Sequence, residues 1–117
     1  MVSVTVRVEE DMLVIEPAGR LSKFASLARN VEVPLACIKE VSIERAEIKG
    51  LKTGGTALPP HFAGRFYDFK TGRIFYALSD RDKCVTLRLE GAKYDEIIVQ
   101  VDDKERVAEM VKRAVAG

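Results

Sequence analysis

Apolar residues recur at every second position in one segment of this chain after another, and only near its end does the interval lengthen to three and four. A period of two puts alternate side chains on opposite faces of a strand; the longer interval lines one face of a helix. A chain patterned this way must build sheet with a buried face and cover it with few helices. Val2, Val4, Val6 and Val8 alternate with Ser3, Thr5 and Arg7, and Met12 to Glu16 follows across the polar turn Glu9-Glu10-Asp11, so the chain opens with a hairpin. Beyond Pro17 and Gly19, the spacing of Leu21, Phe24, Ala25, Leu27 and Ala28 predicts a helix of about two turns.

Strand character returns at Val31 to Pro34 and at Ile38 to Arg45. Residues 46 to 62 break the pattern and are expected to be a loop. Ala63 to Phe69 and Arg73 to Ser79 flank Lys70-Thr71-Gly72, a short hairpin connection with Gly where a positive φ is usual. Cys84 to Glu90 and Tyr94 to Val101 form a further pair across Gly91-Ala92-Lys93. The last element carries Val107, Met110, Val111, Ala114 and Val115 on one stripe, which predicts an amphipathic helix over about 103–115 with all but Ala114 singled out to face the sheet. Asp102 is read as its N-cap, with Glu105 completing a capping box. The expectation is one mainly β domain over 1–117: a small antiparallel barrel of about seven strands closed by the C-terminal α-helix.

With 47% hydrophobic and 32% charged residues the 117-residue chain can bury a core without staples, and two cysteines exclude a disulfide scaffold. The longest stretch without Lys, Arg, Asp or Glu is Thr53 to Gly64, which holds three Gly, two Pro and a His, so no membrane span is expected. The start lacks the pattern of a signal peptide, which makes a cytoplasmic location the expectation, with Cys37 and Cys84 as free thiols. One Asn and one Gln amid dense charge of both signs is a thermophile-like composition. A net charge of +1 gives no global pull toward nucleic acid or anionic lipid.

Several stretches resemble the prokaryotic pleckstrin-homology-like domains. They are Val31-Glu-Val-Pro-Leu-Ala-Cys-Ile-Lys-Glu-Val-Ser-Ile43, Gly50-Leu-Lys-Thr-Gly-Gly-Thr-Ala-Leu-Pro59, Ala63-Gly-Arg-Phe66 and Val99-Gln-Val-Asp-Asp103. The resemblance spans roughly residues 12 to 115 and rests on turn and packing motifs, so it implies a fold and no catalytic activity. In eukaryotic relatives that bind inositol phosphates, basic residues surround the first hairpin. Here that tip is Glu9, Glu10 and Asp11, which disfavours a phosphoinositide.

No catalytic constellation stands out. His61 is the only histidine, follows Pro59-Pro60 and has no Ser or Cys beside it in sequence; read plainly, it is a solvated loop residue. Two cysteines and one histidine make no zinc spacing, and no metal or other cofactor is expected. The acidic pairs lie in expected turns and strand ends, where carboxylates stay solvated. Gly50 to Thr56 lacks the Lys-Ser/Thr that must follow the second Gly of a phosphate loop.

Charge, however, is unevenly placed. Residues 49 to 73 carry Lys49, Lys52, Arg65, Lys70 and Arg73 against Asp68 alone. Lys49, Lys52, Thr53, His61 and Arg65 are the candidate binding residues for an anion or acidic peptide, and their charges are expected to converge on one surface. Phe62, Phe66, Tyr67 and Phe69 either join that surface or fill the core. The functional expectation is a non-catalytic module that binds a protein or peptide, or assembles with copies of itself through strand edges. The alternative is a small-ligand or anion-binding protein using the basic Gly-rich loop 49–66.

Overall fold

Two sheets and one helix account for most of the computed structural model, which describes residues 2–18 and 30–117. The helix expected over residues 21 to 28 lies outside the described residues. Strands β1 (Val4–Glu9), β2 (Met12–Pro17) and β3 (Val31–Pro34) form an antiparallel meander, with Val6 opposite Ile15 and Leu13 opposite Val33. The second sheet contains β4 (Ile38–Ser42), β5 (Leu51–Leu58), β6 (His61–Asp68), β7 (Gly72–Leu78), β8 (Cys84–Leu89) and β9 (Glu96–Gln100), in the order β4-β8-β9-β7-β6-β5. Helix α1 (Lys104–Ala116) follows.

The expected closed barrel of about seven strands is corrected here: among the described residues nine strands are divided between two sheets that do not join. Pairing is not wholly antiparallel either, because β9 lies between β7 and β8 and runs parallel to β7, Phe75 beside Ile97 and Ala77 beside Val99. The cause is burial on both faces of the larger sheet. Phe75, Ala77, Val85, Leu87, Ile97 and Val99 face the three-stranded sheet and join Leu13, Ile15, Val33 and Val111 in the main core. On the outer face Phe62, Phe66, Ile74, Tyr76, Leu78, Cys84 and Ile98 form a second cluster. Central strands covered on both sides read as continuous apolar runs, as Ile74 to Leu78 does.

A crossover of residues 43–50 covers that outer face. It leaves β4 at one edge of the sheet and reaches β5 at the other, pressing Ala46 and Ile48 onto the second cluster. This is why the strand expected as far as Arg45 stops at Ser42. The Ala46 amide donates to the Arg81 carbonyl at 2.9 Å. Tyr76, fully buried, donates its hydroxyl to the Glu47 carbonyl and accepts from the Lys49 amide, both at 3.0 Å. Burial pushes the Tyr76 phenol up to about 12, so it stays a donor throughout the physiological range. Tyr76→Phe removes both bonds and is expected to cost about 2 kcal/mol in urea unfolding.

The segment read as an irregular loop contains an eight-residue strand. β5 pairs with β6 from Leu51 opposite Tyr67 to Leu58 opposite His61, with a bulge between Lys52 and Gly54. Its glycines hide the alternation and permit the approach. Gly55 and Gly64 face each other at φ +105° and +136°, and a Cβ on either would run into the neighbouring strand's backbone.

At the C-terminus Asp103, not Asp102, is the N-cap: its side chain accepts from the Arg106 amide at 3.1 Å, so Glu105 falls one position short of a capping box. Val111 and Ala108 are buried and Val107 and Met110 half-buried, while Val115 is 39% exposed and does not face the sheet as expected. Both cysteines are free thiols. Cys84 is fully buried, its Sγ donating to the Asp80 carbonyl at 3.3 Å, and burial pushes its thiol up to about 12. Cys37 lies half-buried in a 3-10 turn, not on a strand. Thiol alkylation is therefore expected to modify Cys84 only as fast as the protein unfolds; rapid labelling in native buffer would show that the second cluster is open.

Candidate functional site

β3 and β5 are terminal strands of their respective sheets, and the two do not pair. Between them lies a cleft of about 800 Å³. One side is β3 from Val31 to Pro34, including the exposed Glu32. The other is the glycine-rich middle of β5 and β6, where Gly54, Gly55 and Gly64 present backbone in place of side chains. Phe75 and Tyr94 form an apolar wall, their rings tilted with centroids 5.5 Å apart. Gly91, Ala92 and Lys93 of the β8–β9 connection complete the rim.

Two cations stand at this cleft. Arg65 projects from β6 on the side of Ala63 and reaches over β5, where a Cβ on Gly54 would stand 2.8 Å from its Nη2. Lys93 lies over the Tyr94 ring, 5.7 Å from its centroid. Neither forms an ion pair among the described residues. Burial raises the Tyr94 phenol above its ordinary value, and the nearby Arg65 charge only partly offsets this. The phenol therefore remains a neutral hydrogen-bonding group at the wall. The described lining contains no histidine, cysteine or serine, and Glu32 is its one carboxylate. Its lining is glycine backbone and aromatic wall with a cationic bias.

The five residues singled out in the sequence do not share one surface. Arg65 alone lines the cleft. Lys52 pairs with Phe66 and so lies on the opposite, outer face of the sheet; Thr53 is the bulge residue beside it. Lys49 belongs to the crossover and approaches Glu96 on the outer face at 3.4 Å. His61 opens β6 at the far end of the hairpin and is half-buried, with its Nδ1 2.7 Å from Ser79 Oγ. A serine eighteen positions away was invisible to a reading of sequence neighbours. Ser79 Oγ also accepts from the Val2 amide, and its own amide donates to Gln100 Oε1, which ties the pair into the packing between elements. Lys93 was missed because it reads as one residue of an ordinary turn.

The aromatics separate cleanly. Phe62 and Phe66 fill the second cluster, whereas Tyr67 and Phe69 are exposed. Among the described residues no group of three or more His, Cys, Asp or Glu is placed to hold a metal ion, and no helix is long and apolar enough to cross a membrane. A family model described as bacterial PH domain matches residues 4–114. No curated protein and no solved structure matches the chain.

Proposed function

The chain belongs to the bacterial PH domain family, and from that premise we propose that it is a non-catalytic interaction module that takes an extended segment of a protein or peptide partner into the cleft between β3 and β5. The observation that carries this reading is the pair of strand edges flanking one cleft. An edge strand presents unpaired backbone donors and acceptors, and an added strand satisfies them without any demand on its sequence. Selectivity then comes from the side chains at the rim. Arg65 and Lys93 favour an acidic residue, and the Phe75–Tyr94 wall favours an apolar one.

A display library of ten-residue peptides panned against the protein tests this. Enriched peptides should combine a β-branched or aromatic run with one or two carboxylates. Arg65→Glu with Lys93→Glu should lower their affinity tenfold or more and leave the melting temperature nearly unchanged, as exposed substitutions do. Absence of enrichment, or equal affinity of the double variant, removes the cleft as the site. The alternative of a small anionic ligand rests on the same two cations; it would show as binding of a free dicarboxylate with no peptide enriched.

A further inference from the structure

Four large apolar side chains on or beside β5 belong to neither core cluster. Leu51 and Leu58, at the two ends of the strand, are 76% and 69% exposed; beside Leu51 lie Tyr67, 47% exposed, and Phe69, 94% exposed. Exposed leucines at both ends of an unpaired strand cost solubility and give the fold nothing.

The register of β5 puts these leucines in one row. Leu58 comes seven positions after Leu51, an odd interval that sends two side chains to opposite faces of a regular strand. The bulge at Thr53 cancels one position. Leu51 meets Tyr67, Gly54 meets Arg65, Thr56 meets Ala63 and Leu58 meets His61, so these β5 residues share the face on which Ala63 joins the main core. Lys52, opposite Phe66, takes the other face. In the middle of the row Gly54 has no side chain, and Arg65 lies over it, its Nη2 2.8 Å from where a Cβ would stand. The guanidinium therefore sits on the edge strand itself, with an exposed leucine to either side along the strand.

We infer that the partner segment taken at this edge is a strand antiparallel to β5, apolar in the first and seventh of seven places and acidic in the fifth. This register rests on the cleft being a site for an extended partner, and it names the motif that such a partner carries. An antiparallel strand added to β5 steps over the bulge as β6 does, where His61, Arg65 and Tyr67 stand opposite Leu58, Gly54 and Leu51, offsets of four and two. Antiparallel pairing is also the stronger of the two directions per residue. The fifth place meets the Arg65 guanidinium, which suits a carboxylate. The first place covers Leu58 and the seventh covers Leu51. Behind Leu51 the Tyr67 and Phe69 rings meet edge to face with centroids 6.1 Å apart, so the seventh place takes the larger side chain. Asp68 Oδ2 accepts from the Thr71 amide at 3.0 Å and from the Lys70 amide at 3.1 Å, which closes the turn next to Phe69 before any partner arrives.

The probe is a fluorescein-labelled peptide of threonines with leucine first, glutamate fifth and phenylalanine seventh, titrated against the whole protein and followed by anisotropy. Moving its glutamate to the fourth place turns the charge to the other face, and moving it to the third sets it opposite Thr56; each change should weaken binding about tenfold, at constant composition. Arg65→Glu should reject the probe and accept a peptide with lysine in the fifth place, but not one with lysine in the fourth. Leu51→Ser with Leu58→Ser should weaken the probe about tenfold, and circular dichroism should show both variants folded, as exposed substitutions leave a protein. Affinity indifferent to the place of the glutamate overturns the register, as does undiminished binding by the Leu51→Ser, Leu58→Ser variant. Tighter binding of the reversed peptide, with phenylalanine first and glutamate third, means parallel addition and overturns it too. If none of these peptides binds while panning still yields binders, the register alone is wrong; if panning yields none, the cleft falls as the site and the register with it.

Discussion

Val111→Asp is expected to destroy the native fold at ordinary temperatures. Val111 is fully buried where α1 meets the main core, and a carboxylate there has no partner. Burying it unpaired costs about 4 kcal/mol or more, a large share of the 5–15 kcal/mol that holds a small domain together. Urea unfolding followed by circular dichroism should show the midpoint lost or drastically lowered. Val115→Asp is the comparison: it lies four residues along the same stripe but is 39% exposed, and its cost should stay within about 0.5 kcal/mol. Equal stability of the two variants would mean that α1 does not seal the core.

Gly55→Val and Gly64→Val should each cost about 3 kcal/mol or more. Two penalties combine at each position: a positive φ that a β-branched residue rarely adopts, and a steric collision with backbone that cannot turn aside. A Cβ on Gly55 would run into the Ala63 carbonyl oxygen and stand 2.7 Å from the Gly64 Cα. One on Gly64 would run into the Gly54 carbonyl oxygen and stand 2.8 Å from the Gly55 Cα. Gly91 separates the two effects, because its φ is +77° but nothing lies within 4 Å of an added Cβ. Gly91→Ala should therefore cost only about 1–2 kcal/mol, the price of the left-handed backbone alone. Thermal melts of the three proteins give the comparison directly. If Gly55→Val melts no lower than Gly91→Ala, the strands do not approach as closely as described.

Legibility in the sequence followed burial. Val2 to Val6 and Val107 to Val111 announce their elements because one face is buried and the other wet, which writes a period into the chain. β5 writes none. As an edge strand with Gly54, Gly55 and Ala57 among its eight residues, it shows no alternation, and it reads as a loop. β7 errs in the opposite direction: Ile74 to Leu78 is apolar throughout because both faces are covered, and that continuity was the available sign of a central strand and a parallel neighbour. Asp102 and Asp103 are equally good caps on paper, and only the Arg106 hydrogen bond decides between them.

The site was less legible because adjacency in sequence carries no information about faces. Lys52 and Arg65 belong to one basic segment, yet hairpin pairing sends them to opposite sides of the sheet. Arg65 reaches the cleft, and its companion there, Lys93, comes from a segment almost thirty residues later. Tyr67 and Phe69 could be counted as core from composition alone. Their exposure follows from their place at the end of the ribbon, beyond the reach of either cluster.

The crossover of residues 43–50 has a mechanical consequence. It runs over the outer face from β4 to β5 and is fastened midway at Tyr76 and at Arg81, so it girdles the six strands and resists any change in their collective twist. On the opposite side the two sheets are not laced together at the cleft. The outer face is thus strapped by hydrogen bonds to the crossover, whereas no strand pairing joins the two sheets along the cleft. A strand added at the β5 edge, as the proposed function requires, would extend a sheet already fastened on its outer face.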